Sequence, residues 1–363
     1  MKDKLITIAI RRPEQAEQRK ANLEHNGIAA SLEVVDEKQK QISDGMRVRI
    51  SEGDLTKALA VIDRWERNVT SIGVPSADNR RVILAPVDFS DYSIRACETA
   101  CMLAVRFDAD VVLLHAYTAP TYYFTIGASA TAATEAARMQ MVQINADVAN
   151  LTNLLTRKME RGELPRVQFS QVVREGIPED VIIETAESLH PQLVVMGTRG
   201  KDKKEEDLIG SVTAEVIEHC MAPVLAIPES CSINTTAMQN VLFATNFDEK
   251  TLLALDRMME ILKYFSVKIN FAHFASHQDA WNEVMLSGIK SYFQKKFPNI
   301  ETNYSVISGN DELLAFDRFI ADQKIDMIML NTHKRSFIAR LFNPSIARKM
   351  VFHARTSVLV FHT

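Results

Sequence analysis

Long apolar runs are what this sequence most plainly lacks. None of its 363 residues belong to a stretch approaching the roughly 18 consecutive apolar residues of a membrane span. The amino terminus, Met1-Lys2-Asp3-Lys4 followed by a short, mostly apolar segment, falls short of a secretory signal, so a cytoplasmic location with no membrane contact is expected. Cysteine is also sparse: Cys97, Cys101, Cys220 and Cys231 contain no Cys-x-x-Cys pair. That excludes a disulfide framework and predicts buried thiols, the first two one helical turn apart. His273 and His277 have no third ligand beside them in sequence, and no zinc site is expected. The net charge of −4, with no lysine and arginine stripe, argues against nucleic acid as the main partner. Familiar nucleotide motifs are missing too. No Gly-Lys-Ser/Thr closes a Walker A loop, and there is no Gly-x-Gly-x-x-Gly fingerprint. The His-x-Gly-His turn and Ser-Gly-Gly loop of nucleotidyl-transfer enzymes are likewise absent.

What is present is a soluble composition, 47% hydrophobic and 24% charged, that supplies sizeable cores over a length suited to two or three domains. The segment 196–212 stands out. An apolar strand over 193–196 runs into Gly197 and Gly200, a charged loop over 201–209, and Gly210-Ser211-Val212 opening a helix. Glycine at 197 and 200 permits φ > 0 and lets backbone N–H groups approach an anion without a Cβ in the way. The helix that starts at Gly210-Ser211 presents free N–H groups to negative charge, with Ser211 able to cap it or to bind a phosphate oxygen.

Residues 1–68 read as a βαββα unit. Strands are predicted over 5–10, 28–35 and 46–50, with a helix over 13–25 stopped by Asn26-Gly27 and another over 54–65. This suggests an α+β, ferredoxin-like sandwich. The Gly27-Ile28 pair and the turn Ser51-Glu52-Gly53-Asp54 resemble those of small prokaryotic signal-transducing modules; a structural appendage or dimer contact is the competing reading. Residues 69–79 read as a linker, as do 230–238.

Residues 80–229 alternate strands (82–87, 111–115, 167–173, 193–196, 224–227) with helices, which means right-handed crossovers and a parallel sheet. In such a sheet Asp88 and Gly197 both follow strand C-termini and can face one crevice. Residues 118–166 add Tyr122-Tyr123-Phe124, a candidate lid, and a long amphipathic helix expected to pack on its own sheet.

Residues 239–363 repeat the pattern. From 327 to the last strand the match to the first copy is ungapped, with Met327 on Leu193 and Val358 on Val224, so an internal duplication is expected. The second copy has Asn246 for Asp88, Asn331 for Gly197, Lys334 for Gly200 and Pro344 for Gly210, keeping only Ser345. Added side chains and a lost N–H predict that it keeps the fold and loses triphosphate binding. Lys334, Arg335 and Arg340 leave another anionic ligand open.

Residues 81–228 are similar to a universal stress protein domain of the ATP-binding type. The likeness rests on Pro86-Val87-Asp88-Phe89-Ser90, Leu114-His115-Ala116, Val173 through Pro178 and the complete G-x2-G-x9-G-S loop. It implies an α/β chain of two tandem doubly wound parallel-sheet domains, adenine-nucleotide alpha hydrolase-like, behind the small α+β ferredoxin-like one. It also implies that Asp88 bonds a ribose, that backbone near Pro86, Val87 and Ala116 frames an adenine, and that Gly197, Gly200, Gly210, Ser211 and Val212 surround phosphates, with Met196 at the strand end. ATP, with Mg²⁺ as candidate companion, is the implied ligand. Lys201 and Lys203 add charge to a triphosphate on one reading and belong to a solvated loop with Glu205, Glu206 and Asp207 on the other. The two copies are expected to pair through 224–227 and 358–361 as a pseudo-dimer, with a homodimer of chains as a further candidate.

Three functions follow from these residues. The first is a nucleotide-binding stress-response or signalling protein with one competent site and no catalytic residues. The second is a slow ATPase or nucleotidyl-transfer enzyme, with Asp88, Asp91 and His115 as candidate bases. The third is an interaction protein with a vestigial loop, which sits poorly with one copy keeping all three glycines that the other lost.

Overall fold

In a computed structural model of the chain, the residues described are 5–11, 16–17, 20–21, 23–24, 26–34, 46–54, 57–58, 70–72, 80–118, 130–199, 210–228, 238–244, 249–274, 280–307, 312–332 and 356–362. The chain divides into two compact units, one of residues 1–70, 117–140 and 174–177, the other of 71–116, 141–173 and 178–363.

Within the first unit, β1 (Leu5–Arg11), β2 (Ala30–Val34) and β3 (Met46–Ser51) form an antiparallel sheet in the order β1-β3-β2. Alternation along β3 sends Val48 and Ile50 into a core with Ala16, Leu23, Ile28 and Ala58. Arg49, on the other face, binds Glu33 at 2.7 Å. The predicted stop at Asn26-Gly27 is present: Gly27 has φ 76° and Ile28 N–H bonds Leu23 O at 2.9 Å. A Cβ at Gly27 would meet nothing within 4 Å, so conformation rather than space selects glycine there. Of the helix predicted over 54–65, only Lys57 and Ala58 are described as helical; Asp54 instead closes a 3-10 turn over Glu52–Asp54, and the remainder lies outside the described residues.

An 11-stranded sheet carries the rest. Its strands are β4 (Thr70–Ile72), β5 (Arg81–Pro86), β6 (Ala109–Tyr117), β7 (Phe169–Glu175), β8 (Leu193–Gly197), β9 (Val224–Ile227), β10 (Asn240–Ala244), β11 (Lys268–Phe274), β12 (Thr302–Ile307), β13 (Met327–Thr332) and β14 (Ser357–His362). The order is β12-β11-β10-β13-β14-β9-β8-β5-β6-β7-β4. Two linker expectations change here. Thr70–Ile72, with β-branched residues at both ends, makes an edge strand instead of linker. Met238 is 7% exposed and part of the core.

Seven helices have both ends among the described residues: α1 (Asp91–Phe107), α2 (Ala130–Glu160), α3 (Pro178–Leu189), α4 (Ser211–His219), α5 (Glu249–Leu262), α6 (Ala280–Lys296) and α7 (Glu312–Asp322). Pro178 in the first turn and Glu179 and Asp180 at the positive dipole end start α3 as the sequence leads one to expect. Helix α2 puts Leu151 and Leu155 into the sheet core, with Met159 packed against it, so this stretch packs on its own sheet.

The registers on either side of the sheet centre match. Ile83 lies beside Val111 and Leu193, and Val241 beside Ile269 and Met327. Val194 faces Val224, and Ile328 faces Val358. All these pairs are parallel, whereas β9 and β14 run antiparallel, with Leu225 against Leu359. In each half the first and fourth strands are neighbours and the chain leaves them toward opposite sides of the sheet, the strand order in which ligands are generally held beyond the C-terminal ends.

Candidate functional site

The strands β5 and β8 are hydrogen-bonded neighbours, Ile83 beside Leu193 and Leu84 beside Val194, so their C-terminal ends emerge side by side. Pro86, Val87 and Met196 are buried there; Asp88 and Ala116 are half-buried.

After β5 the chain is bound tightly to itself. Val87 N–H bonds Leu114 O at 2.8 Å, and Val87 O meets His115 Nδ1 at 2.8 Å. Phe89 has φ 63°, a left-handed conformation that costs a non-glycine residue energy, and its ring lies 4.6 Å from the His115 ring. That turn brings Ser90 back onto Asp88. The Asp88 carboxylate accepts from Ser90 N–H at 3.0 Å and from Ser90 Oγ at 2.6 Å. Ser90 then caps α1, its Oγ accepting from Ser93 N–H at 3.3 Å, with Asp91 in the first turn. His115 is thus engaged at Nδ1 with the Val87 carbonyl, and Asp91 starts a helix; both have structural employment at this edge.

The glycine loop departs from expectation in two respects. Gly197 is not among the residues with positive φ. Its requirement is spatial: a Cβ would lie 2.7 Å from Tyr92 Cβ and 3.0 Å from Tyr92 C, because the first turn of α1 packs directly on the end of β8. The second departure concerns the helix opening. Gly210, not Ser211, is the N-cap of α4, with φ −70° and ψ 152° and no side-chain cap bond. Ser211 is the first helical residue and is exposed, so of its two expected uses the capping one does not hold. The Gly210 N–H is already donated to Thr198 O at 2.8 Å, which removes it from the set that can meet an anion. Ser211 and Val212 provide the next N–H groups at the helix start, which have no intrahelical acceptor. Two further bonds lock the loop's ends, Thr213 Oγ1 to Gly197 O at 2.8 Å and Thr198 N–H to Ile227 O at 3.0 Å. Sequence reading missed Tyr92, Thr198 and Thr213. The Thr213 hydroxyl, two residues past the Gly210-Ser211 pair, was the available signal.

Gly200, Lys201, Lys203 and the aromatic segment at 122–124 lie outside the described residues, as do Asn246, Lys334, Arg335, Arg340, Pro344, Ser345, Cys231 and His277. Asn331, one residue before the end of β13, lies opposite Phe361, the position that Gly197 holds opposite Ile227. Among the described residues no group of three or more His, Cys, Asp or Glu side chains is placed to hold a metal, and no helix is long and apolar enough to cross a membrane.

In the other unit, at the ends of β6 and β7, Gly176 N–H bonds Tyr117 O at 2.8 Å. Burial raises the Glu175 carboxyl, and burial followed by the Glu175 charge raises the Tyr117 hydroxyl.

The model of the universal stress protein family matches residues 79–228. A universal stress protein of Methanocaldococcus jannaschii is 30% identical over 145 residues, 40% of this chain and 80% of that protein. One from Methanothermobacter thermautotrophicus is 41% identical over 71 residues, 18% of this chain and 48% of that protein. Among solved structures, a universal stress protein from Archaeoglobus fulgidus covers 77% of this chain and 96% of its own at a TM-score of 0.56 and 17% identity. A functionally unknown protein from Pseudomonas aeruginosa covers 78% of this chain and 93% of its own at 0.52 and 12%. At those identities the likeness is one of fold.

Proposed function

The chain belongs to the universal stress protein family, and from that premise we propose that it binds ATP at the crevice between β5 and β8 and acts in stress response or signalling through ligand-dependent interaction. The observation that carries this reading is the juxtaposition at one sheet edge of a carboxylate after β5 and a helix N-terminus after β8. Asp88, half-buried and oriented by Ser90, would take a ribose hydroxyl. The backbone near Val87 and Ala116 would frame the adenine. The N–H groups of Ser211 and Val212, the glycine loop through Gly200 and the positive end of α4 would hold phosphates. Magnesium, if it accompanies the nucleotide, would be carried mainly by phosphate oxygens, since the described residues hold no metal cluster.

On this reading residues 239–363 are a degenerate tandem copy without the phosphate loop, docked on the first as a pseudo-dimer through β9 and β14. The N-terminal unit, with β3 inserted between β1 and β2, is a ferredoxin-like module appended for signalling. Catalysis is no part of the proposal. Calorimetry of the 363-residue chain with ATP and Mg²⁺ tests it. Sub-millimolar binding is expected for the wild type and its loss for Gly200→Lys, with nucleotide detectable in the purified protein. Absence of binding by the wild type would mean a vestigial loop. Phosphate release faster than about 0.1 per second would point instead to an ATPase.

A further inference from the structure

The antiparallel pairing of β9 and β14 is centred on Leu225 and Leu359, which occupy the same place in their two halves. An apolar pocket on that axis is likewise lined by matched residues, Leu103 with Ile261 and Leu225 with Leu359. The Phe107 and Phe265 rings, matched again, meet edge to face at 6.3 Å. Polar contacts flanking the axis break this symmetry. Arg81, at the start of β5, sends Nη1 to the Phe107 carbonyl at the end of α1, 3.1 Å away, and to the Tyr264 hydroxyl of the second half, 2.7 Å away. Its guanidinium carbon is 5.9 Å from the Tyr264 ring centre, and Tyr264 packs on Phe107 at 4.7 Å. Met238, which lines the axial pocket, has no apolar counterpart: the correspondence that sets Asn246 on Asp88 and Val241 on Ile83 sets Arg80 there. The same match sets Gln239 at the place of Arg81 and Arg106 at the place of Tyr264.

On the reading that the two halves are a duplicated pair, we propose that this edge is encoded for unlike pairing: the first half accepts the second half of its own chain and rejects a second copy of itself. If two first halves met as these halves do, each Arg81 would face the partner's place for Arg106. A hydrogen bond and a ring contact would be exchanged for two encounters of like charge, and Arg80 would stand where Met238 fills the pocket. Two second halves would set Gln239 against Tyr264 and lose the guanidinium. Only the unlike pair gives Arg81 an acceptor across the edge, the Tyr264 hydroxyl, and leaves Arg106 opposite a neutral residue. Repulsion in the wrong pairing is how interfaces of similar shape are told apart.

The test uses the 363-residue chain with a protease site placed within residues 229–237, cleaved after folding and followed by native mass spectrometry over a dilution series. The wild-type fragments are expected to remain 1:1 pairs with no dimer of the N-terminal fragment. Tyr264→Arg should weaken the pair about tenfold by recreating the like-charge encounter, and Arg81→Gln in the same chain should restore most of that loss. Tyr264→Phe, which keeps the ring, should weaken it less. Arg106→Tyr should make pairs of N-terminal fragments appear. If the wild-type fragments separate at every concentration, the pairing itself falls, and the proposal with it. If they stay paired while Tyr264→Arg changes nothing, or its effect is not relieved by Arg81→Gln, the pairing stands and the encoding by charge is overturned.

Discussion

Gly197 shows how close packing can select a glycine beside the proposed nucleotide site. Its hydrogen atom faces Tyr92 where a methyl group would sit 2.7 Å from Tyr92 Cβ, an atom close to the backbone that cannot rotate away. Gly197→Ala should therefore cost about 1–3 kcal/mol through overpacking. On the proposed function, a lowered thermal midpoint should be accompanied by weaker ATP binding, because the displaced turn of α1 carries the Ser90 cap that orients Asp88. Unchanged stability would mean that helix and strand can part freely. Asn270 presents the opposite case. It is 1% exposed in β11, its Oδ1 has no hydrogen-bond partner, and its Nδ2 reaches Val241 O only at 3.5 Å. The matched residue in the first half is Val112, 0% exposed. Asn270→Val should stabilise the protein by about 1 kcal/mol, since a buried acceptor without a partner costs about 1–3 kcal/mol. Denaturant unfolding would measure it, and a destabilised variant would count against the orphaned acceptor.

Helix α1 is the element on which most features of the first half converge. Its N-terminus holds Ser90, Asp88 and Tyr92; its C-terminus presents the Phe107 carbonyl to Arg81. Between them its inner face is small and apolar, with Ala96, Cys97, Ala100, Cys101 and Ala104 nearly inaccessible, which lets the helix lie close to β5, β8 and β9. Burial pushes the Cys101 thiol up to about 12 and Cys97 higher still, with the neighbouring Glu98 charge adding to both. Cys220, at the end of α4, is raised to about 11, mainly by burial. These thiols stay protonated at pH 8, and the thiolate is the reactive form. Alkylation of the folded protein at pH 8, read residue by residue by peptide mass spectrometry, should leave all three unmodified, and denaturant should expose them together. Rapid labelling of Cys97 in the native state would contradict the packing of α1.

For the whole molecule, the periodicities that announced strands and helices were sufficient to place β5 to β9 and their crossovers, since each depends on residues within a few positions of one another. The ungapped correspondence of 327–361 with 193–227 likewise foretold the parallel register of β13 and β14. Boundaries moved where pairing partners decide them: the third strand of the first half runs Phe169–Glu175, not 167–173, and the supposed linker yields an edge strand at Thr70–Ile72. Met238 was legible only as part of a polar segment, because nothing in its neighbours reveals the apolar pocket that receives it.

Residue type and short-range order were enough for the alternation of elements, the carboxylate after one strand, the glycines after another, and the absence of those glycines at 331, 334 and 344. Tertiary structure alone decided what those groups contact. It made Gly197 a close approach to Tyr92 instead of a left-handed turn, spent the Gly210 N–H on Thr198, and joined Arg81 to Tyr264 across 183 residues. The reason is physical: a backbone pattern specifies which groups a segment offers, but hydrogen bonds and excluded volume are settled by whichever atoms the folded sheet brings within reach.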